Sequence, residues 1–162
     1  MEEKIKEQNI GITYLSRGMQ LKQQGLEIEL LQPVSKGLYQ ERNEYSMVFR
    51  LVYQDFSMLF TGDVEGQGEE ELLKSGKLEK TTILKTAHHG SEYTMGEETL
   101  SCIQPEVTLI SCGADNSYGH PHKGFLDRVN KFNSKVYVTM NQGAITVETD
   151  GAHMIIYEKC EQ

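Results

Sequence analysis

Apolar and polar positions follow two different rhythms along this chain. Up to residue 61 they come in short runs, alternating or nearly all apolar, which predicts strands over 10–14, 26–31, 47–53 and 56–61. Leu26-Glu-Ile-Glu-Leu alternates as a strand with one buried face must. The runs 47–53 and 56–61, parted only by Gln54 and Asp55, read as a hairpin. Beyond residue 62, helical spacing alternates with strand-like runs. Gly66–Lys74 offers Leu72 and Leu73 behind a glutamate-rich first turn, with Gly76 as a stop. Thr94-Met-Gly-Glu97 has the form of a capping box, opening a helix to about residue 103 that Pro105 ends. Pro121, at a first helical position, opens a third helix whose Phe125, Leu126, Val129 and Phe132 share a face. Strands are predicted over 82–86, 107–111 and 135–139, then over Ala144–Thr149 and 152–157, the last two joined by the hairpin signal Asp150-Gly151.

Strands first, then strand–helix alternation, then a terminal hairpin imply one α/β domain over 1–162 with a mixed sheet. Composition agrees: 38% hydrophobic and 25% charged residues suit a globular domain. No apolar run approaches the roughly 18 residues of a membrane span, and Met-Glu-Glu-Lys-Ile-Lys-Glu at the start has no apolar signal core, so the chain is expected to be soluble. A net charge of −8 argues against a broad basic face for nucleic acid. Any such role is confined to a local site, one that metal cations could serve. Cys102, Cys112 and Cys160 form neither a disulfide framework nor a C-x-x-C knuckle.

Candidate chemistry gathers directly after three predicted strands, where α/β sheets carry their ligand sites. Leu59-Phe60-Thr61-Gly62-Asp63 ends in a carboxylate at the sheet rim. Lys85-Thr86-Ala87-His88-His89-Gly90-Ser91 delivers two imidazoles that leave a strand in different directions, followed by a hydroxyl donor. The loop from Ser111 to Pro121 brings His120 to the entry of a helix. His122 and His153 have weaker cases, and His153 is expected to be partly buried in a strand. Carboxylate and imidazole donors without thiolate suit Zn²⁺, Mn²⁺ or Fe, and the chemistry such an ion supports is hydrolysis.

Four segments taken together, Leu59 to Asp63, Leu84 to Ser91, Tyr118-Gly119-His120-Pro121 and Asn141-Gln142-Gly143-Ala144-Ile145, resemble the metallo-β-lactamase-fold domain at the C-terminal end of ComEC-family competence proteins. The resemblance runs from about 26 to 157. It implies a metallo-β-lactamase-like αββα layered sandwich and a metal-dependent nuclease. The parent would be a membrane channel for incoming single-stranded DNA, attached to the bacterial cell membrane, with this domain degrading the other strand. By the same resemblance Asp63 is the bridging carboxylate of a two-metal site holding Zn or Mn, and His120 is a terminal ligand. His88 or His89 is a ligand or a phosphate contact; His88 is favoured as the ligand, His89 as the catalytic group, and Ser91 and Tyr118 as substrate contacts.

The departures from that family carry equal weight. Its hydrolases hold an H-x-H-x-D-H cluster well before the Thr-Gly-Asp aspartate, yet residues 1–62 here contain no histidine. The sandwich is therefore expected to be incomplete, lacking its first-half strands and metal loop, as a C-terminal fragment or a truncated homologue would be. Metal binding is expected to be weak or absent and nuclease activity negligible. Without the N-terminal half of the domain to cover a sheet face, the chain is expected to self-associate. Two other readings stand beside this one: a soluble hydrolase of small esters, lactones or phosphodiesters, which the acidic charge favours, and a non-enzymatic regulatory module.

Overall fold

The computed structural model describes residues 2–34 and 39–159. A short helix α1 (Glu2–Glu7) is followed by a seven-stranded sheet whose spatial order is its chain order. Strands β1 (Gln20–Gln23), β2 (Leu26–Gln32), β3 (Val48–Tyr53) and β4 (Phe56–Phe60) form an antiparallel meander. From β4 onward the pairing is parallel. The sheet continues through β5 (Ile83–Lys85), β6 (Val107–Ile110) and β7 (Lys135–Val138), linked by α2 (Gly66–Lys74), α3 (Glu97–Ile103) and α4 (Lys123–Asn130). A single turn of helix, α5 (Thr139–Gln142), leads to the separate hairpin of β8 (Ala144–Thr149) and β9 (Met154–Lys159).

Period-two alternation decides which face each strand residue serves. Leu84 points to the helices, where Leu72, Leu100, Ile103, Phe125 and Val129 meet Leu31, Leu59 and Ile110. Its neighbour Ile83 points the other way, with Phe56, Val107, Leu109 and Tyr137, and the hairpin covers that face with Ile145, Val147, Met154 and Ile156. The crossovers advance in one direction, so α2, α3 and α4 share one face. The layers are thus helices, a seven-stranded sheet and a two-stranded sheet. Ile155 and Tyr157 remain exposed on the outer face of the hairpin. Among the described residues no helix is long and apolar enough to cross a membrane.

Five sequence expectations change. Residues 10–14 keep the alternation of Ile10, Ile12 and Tyr14 but form no strand; these side chains are 53%, 51% and 75% exposed, and alternation that buries no face gives a strand no packing. Strand β1, exposed at every position, has no apolar face to betray it. The capping box does not form, because Glu69 of α2 takes the N–H groups of Met95 and Gly96 and the Thr99 hydroxyl, while the Thr94 hydroxyl donates to the Ser91 carbonyl. Pro121 lies before its helix, in a cis bond to His120. The His122 N–H donates to the Gly90 carbonyl, which keeps this stretch extended until Lys123. Finally, β9 starts only at Met154, so His153 sits exposed in a four-residue turn. Cys160 falls outside the described residues; Cys102 is exposed and Cys112 half-buried.

That turn is organised by the Asp150 carboxylate, whose Oδ1 accepts the N–H groups of Ala152 at 2.9 Å and His153 at 2.7 Å. The His153 N–H, then that of Ala152, holds the Asp150 carboxyl down to about 2, from an ordinary 3.8. Because the native turn prefers the carboxylate, its contribution is complete above 3.8 and is lost as pH falls from there through about 2. A carbon-detected NMR titration should find the Asp150 midpoint near 2. A midpoint at the ordinary value would mean these bonds do not form in solution.

Candidate metal centre

Parallel pairing of β4, β5 and β6 places their carboxyl ends on one rim, and each end carries one part of the candidate site. After β4 the chain turns through Gly62, at φ +53°, and presents Asp63 half-buried, its N–H donating to Ser46 Oγ at 3.1 Å. After β5 comes the tight turn Ala87–Gly90, in which His88 (φ 42°) and His89 (φ 55°) are both left-handed. Two non-glycine residues in that region cost roughly 1–2 kcal/mol each. The surroundings hold them there: the His88 N–H donates to the Gly62 carbonyl at 3.1 Å, and the Ser91 N–H donates to the His88 carbonyl at 3.0 Å. After β6, Asn116 clamps the loop by accepting the His120 N–H at 2.8 Å and donating to the Gly113 and His120 carbonyls at 2.7 and 2.8 Å.

The result is a cluster of imidazoles. The centroid of the His120 ring lies 5.5 Å from that of His88, 6.1 Å from His89 and 4.7 Å from His122, while His88 and His89 are 6.3 Å apart. His120 is 8% exposed. Burial, then the proximity of His122, His88 and His89, depresses its pKa below the ordinary imidazole value, and the Asp63 carboxylate opposes this. Asp63 also acts on Lys85, whose ammonium burial depresses and whose Nζ donates to the Thr86 carbonyl at 3.2 Å.

Hydrogen bonds assign the tautomers. His89 Nδ1 donates to the Ser111 carbonyl at 2.5 Å, and His88 Nδ1 donates to Glu65 Oε2 at 3.1 Å, so in the neutral form of each ring the lone pair lies on Nε2. His122 differs: its Nε2 donates to the Tyr118 carbonyl and its Nδ1 accepts the Glu92 N–H, both at 3.0 Å, which commits both nitrogens to the loop. Among the described residues, no three His, Cys, Asp or Glu side chains stand close enough together to hold an ion as they are placed. The donor chemistry nevertheless suits a divalent cation: imidazoles whose Nδ1 already donates to a protein acceptor, a carboxylate at the same rim, and a buried Thr86 hydroxyl with no partner among the described residues.

A cleft of about 400 Å³ opens beside the imidazoles, lined by His89, Cys112, Asn116, Tyr118, His120 and Thr139. Tyr118 is 76% exposed, its ring stacked over His120 at 5.8 Å and 17°. Ser91 is buried, and its hydroxyl accepts the Tyr93 N–H at 3.3 Å, a bond that shapes the turn. Sequence reasoning passed over Glu65, Lys85 and Asn116. Glu65 follows Asp63 by two residues at the entry of α2, the signal in the sequence that marks it.

Comparison with known proteins adds the following. The family model of the metallo-beta-lactamase superfamily matches residues 2–114. ComE operon protein 3 of Bacillus subtilis (strain 168) is 31% identical over 140 residues, covering 86% of this chain and 18% of that protein. Recombination protein 2 of Haemophilus influenzae is 30% identical over 83% of this chain and 17% of its own length. Competence protein ComA of Neisseria gonorrhoeae is 32% identical over 75% and 18%. The chain thus spans less than a fifth of the curated relatives it matches. Among solved structures, a Parabacteroides distasonis protein described as a metal-dependent hydrolase superposes with a TM-score of 0.53 at 15% identity, over 86% of this chain and 62% of that one, a likeness of fold.

Proposed function

The chain belongs to the metallo-β-lactamase superfamily, and from that premise we propose that its rim is part of the divalent-ion site of a phosphodiester hydrolase acting on DNA in competence. The observation that carries this reading is the meeting of His88, His89 and His120, delivered by two different strand ends, under the influence of the Asp63 carboxylate. Its relatives, ComEC-family competence proteins, supply the biological setting, and attachment to a membrane-bound parent belongs to the same proposal.

Asp63, His88 and His120 would hold the ion, Zn²⁺ or Mn²⁺ by their donor types. When bound, it supplies Lewis-acid polarisation of a phosphoryl oxygen and a nucleophile at neutral pH. The rest falls to this chain's own groups. His89 carries its proton on Nδ1 against the Ser111 carbonyl and accepts a proton at Nε2. Tyr118 offers an exposed ring at the cleft for a base or sugar to lie on. The Lys85 ammonium adds positive charge to a protein of net charge −8, at the one rim where a phosphodiester needs it.

The 162 residues contain no H-x-H-x-D-H cluster, so ligands for two adjacent ions are not supplied by this sequence. Phosphodiesterase turnover by this chain with Mn²⁺ or Zn²⁺ is expected to stay at background. In ComE operon protein 3, whose match covers 86% of this chain, alanine at the position corresponding to Asp63 should abolish ion-dependent DNA cleavage. Cleavage retained by that variant would overturn the reading. Hydrolysis of small esters with DNA untouched would favour the soluble-hydrolase alternative.

A further inference from the structure

Helix α2 is capped in an unusual way. Glu65 is its N-cap residue, with extended backbone (φ −152°, ψ 176°), yet its carboxylate makes no capping bond. An acidic N-cap ordinarily satisfies an N–H of its own first turn. Here that bond comes from Glu44, whose Oε1 accepts the Gln67 N–H at 3.0 Å while its Oε2 accepts those of Gln40 and Glu41 at 3.0 and 2.9 Å. The turn Asn43–Tyr45 that carries Glu44 is pressed onto α2, for a Cβ on Gly68 would stand 2.4 Å from the Glu44 carbonyl oxygen. Relieved of capping, Glu65 is held at both oxygens: Oε1 accepts Asn43 Nδ2 at 2.8 Å, and Oε2 accepts His88 Nδ1 at 3.1 Å.

We propose that Glu65, steadied by Asn43, is the positioning residue of His88, fixing its proton on Nδ1 and so leaving Nε2 as the donor atom. This rests on the reading of His88 as an ion ligand. A ligating imidazole is oriented by the bond its other nitrogen makes, and at His88 that bond goes to Glu65. His89 has its own, the Ser111 carbonyl, and serves as an internal control.

The test is long-range ¹H–¹⁵N correlation of the imidazoles in the metal-free protein, paired with calorimetric titration of Zn²⁺. In the unsubstituted chain His88 and His89 should both carry hydrogen on Nδ1. Glu65→Ala should move the His88 proton largely to Nε2, leave His89 unchanged and weaken Zn²⁺ binding about 10–100-fold. Glu65→Gln, which keeps an acceptor oxygen and cannot disturb the cap, should retain the Nδ1 proton and most of the affinity. A His88 that keeps its Nδ1 proton in Glu65→Ala, or equal losses in both variants, would overturn the proposal. If the unsubstituted chain takes up no Zn²⁺ while the His88 proton moves as expected, the ion reading fails and the positioning role stands.

Discussion

Alanine at Gly90 should lower the melting temperature by roughly 5–15 °C and separate His120 from His88 and His89. Gly90 is buried at φ +80°, where a side chain costs roughly 1–3 kcal/mol in backbone strain alone. There is no room for a methyl group either. Its Cβ would stand 2.9 Å from Pro121 Cβ, 3.2 Å from Phe125 Cδ1 and 3.4 Å from Ile110 Cγ2. Phe125 and Ile110 are fully buried core residues and yield little, so overpacking adds roughly 1–3 kcal/mol. Pro121 is the neighbour able to move, and His120 precedes it directly. The Gly90 carbonyl also accepts the His122 N–H at 2.9 Å, so displacement of the turn drags the whole His120 loop. A thermal melt and nuclear Overhauser contacts between the His88 and His120 rings would check this. Melting within about 2 °C of the parent chain, with those contacts intact, would show that the two loops are not wedged together through Gly90.

Much of the architecture was legible because burial dictates periodicity. Leu84, flanked by residues facing the opposite layer, could belong only to a strand buried on both sides, and α2 was bounded correctly by its glutamates and Gly76. What escaped depended on partners remote in sequence. Thr94 and Glu97 make a plausible capping box until Glu69, from another helix, provides a charged acceptor. Ile10, Ile12 and Tyr14 alternate as strand residues do, yet burial of one face depends on packing that local pattern does not reveal.

The candidate site divides along the same line. Asp63, His88 and His89 could be picked out because each closely follows a strand, and His120 because it ends the loop after the next one; parallel strands end on a common rim. Ser91 could not be judged from spacing, since its hydroxyl direction depends on the turn that buries it. Nor could the difference between His120 and His122, two residues apart. One faces the other imidazoles from a clamped loop, and the other spends both nitrogens on backbone groups of that loop.

The largest effect expected at the rim itself is on ion affinity. Losing a partner behind a ligand costs about 10–100-fold, so losing a ligand should cost at least the upper end of that range. Asp63→Ala and His120→Ala each remove a donor, whereas His122→Ala removes only a brace of the loop and should weaken binding less. Isothermal titration of Zn²⁺ and Mn²⁺ into this chain and these three variants therefore bears most directly on the whole account. It predicts weak uptake of a single ion, reduced at least about 100-fold by Asp63→Ala and by His120→Ala. Uptake indifferent to both substitutions, or none even at millimolar ion, would mean that these side chains share a rim without sharing a cation.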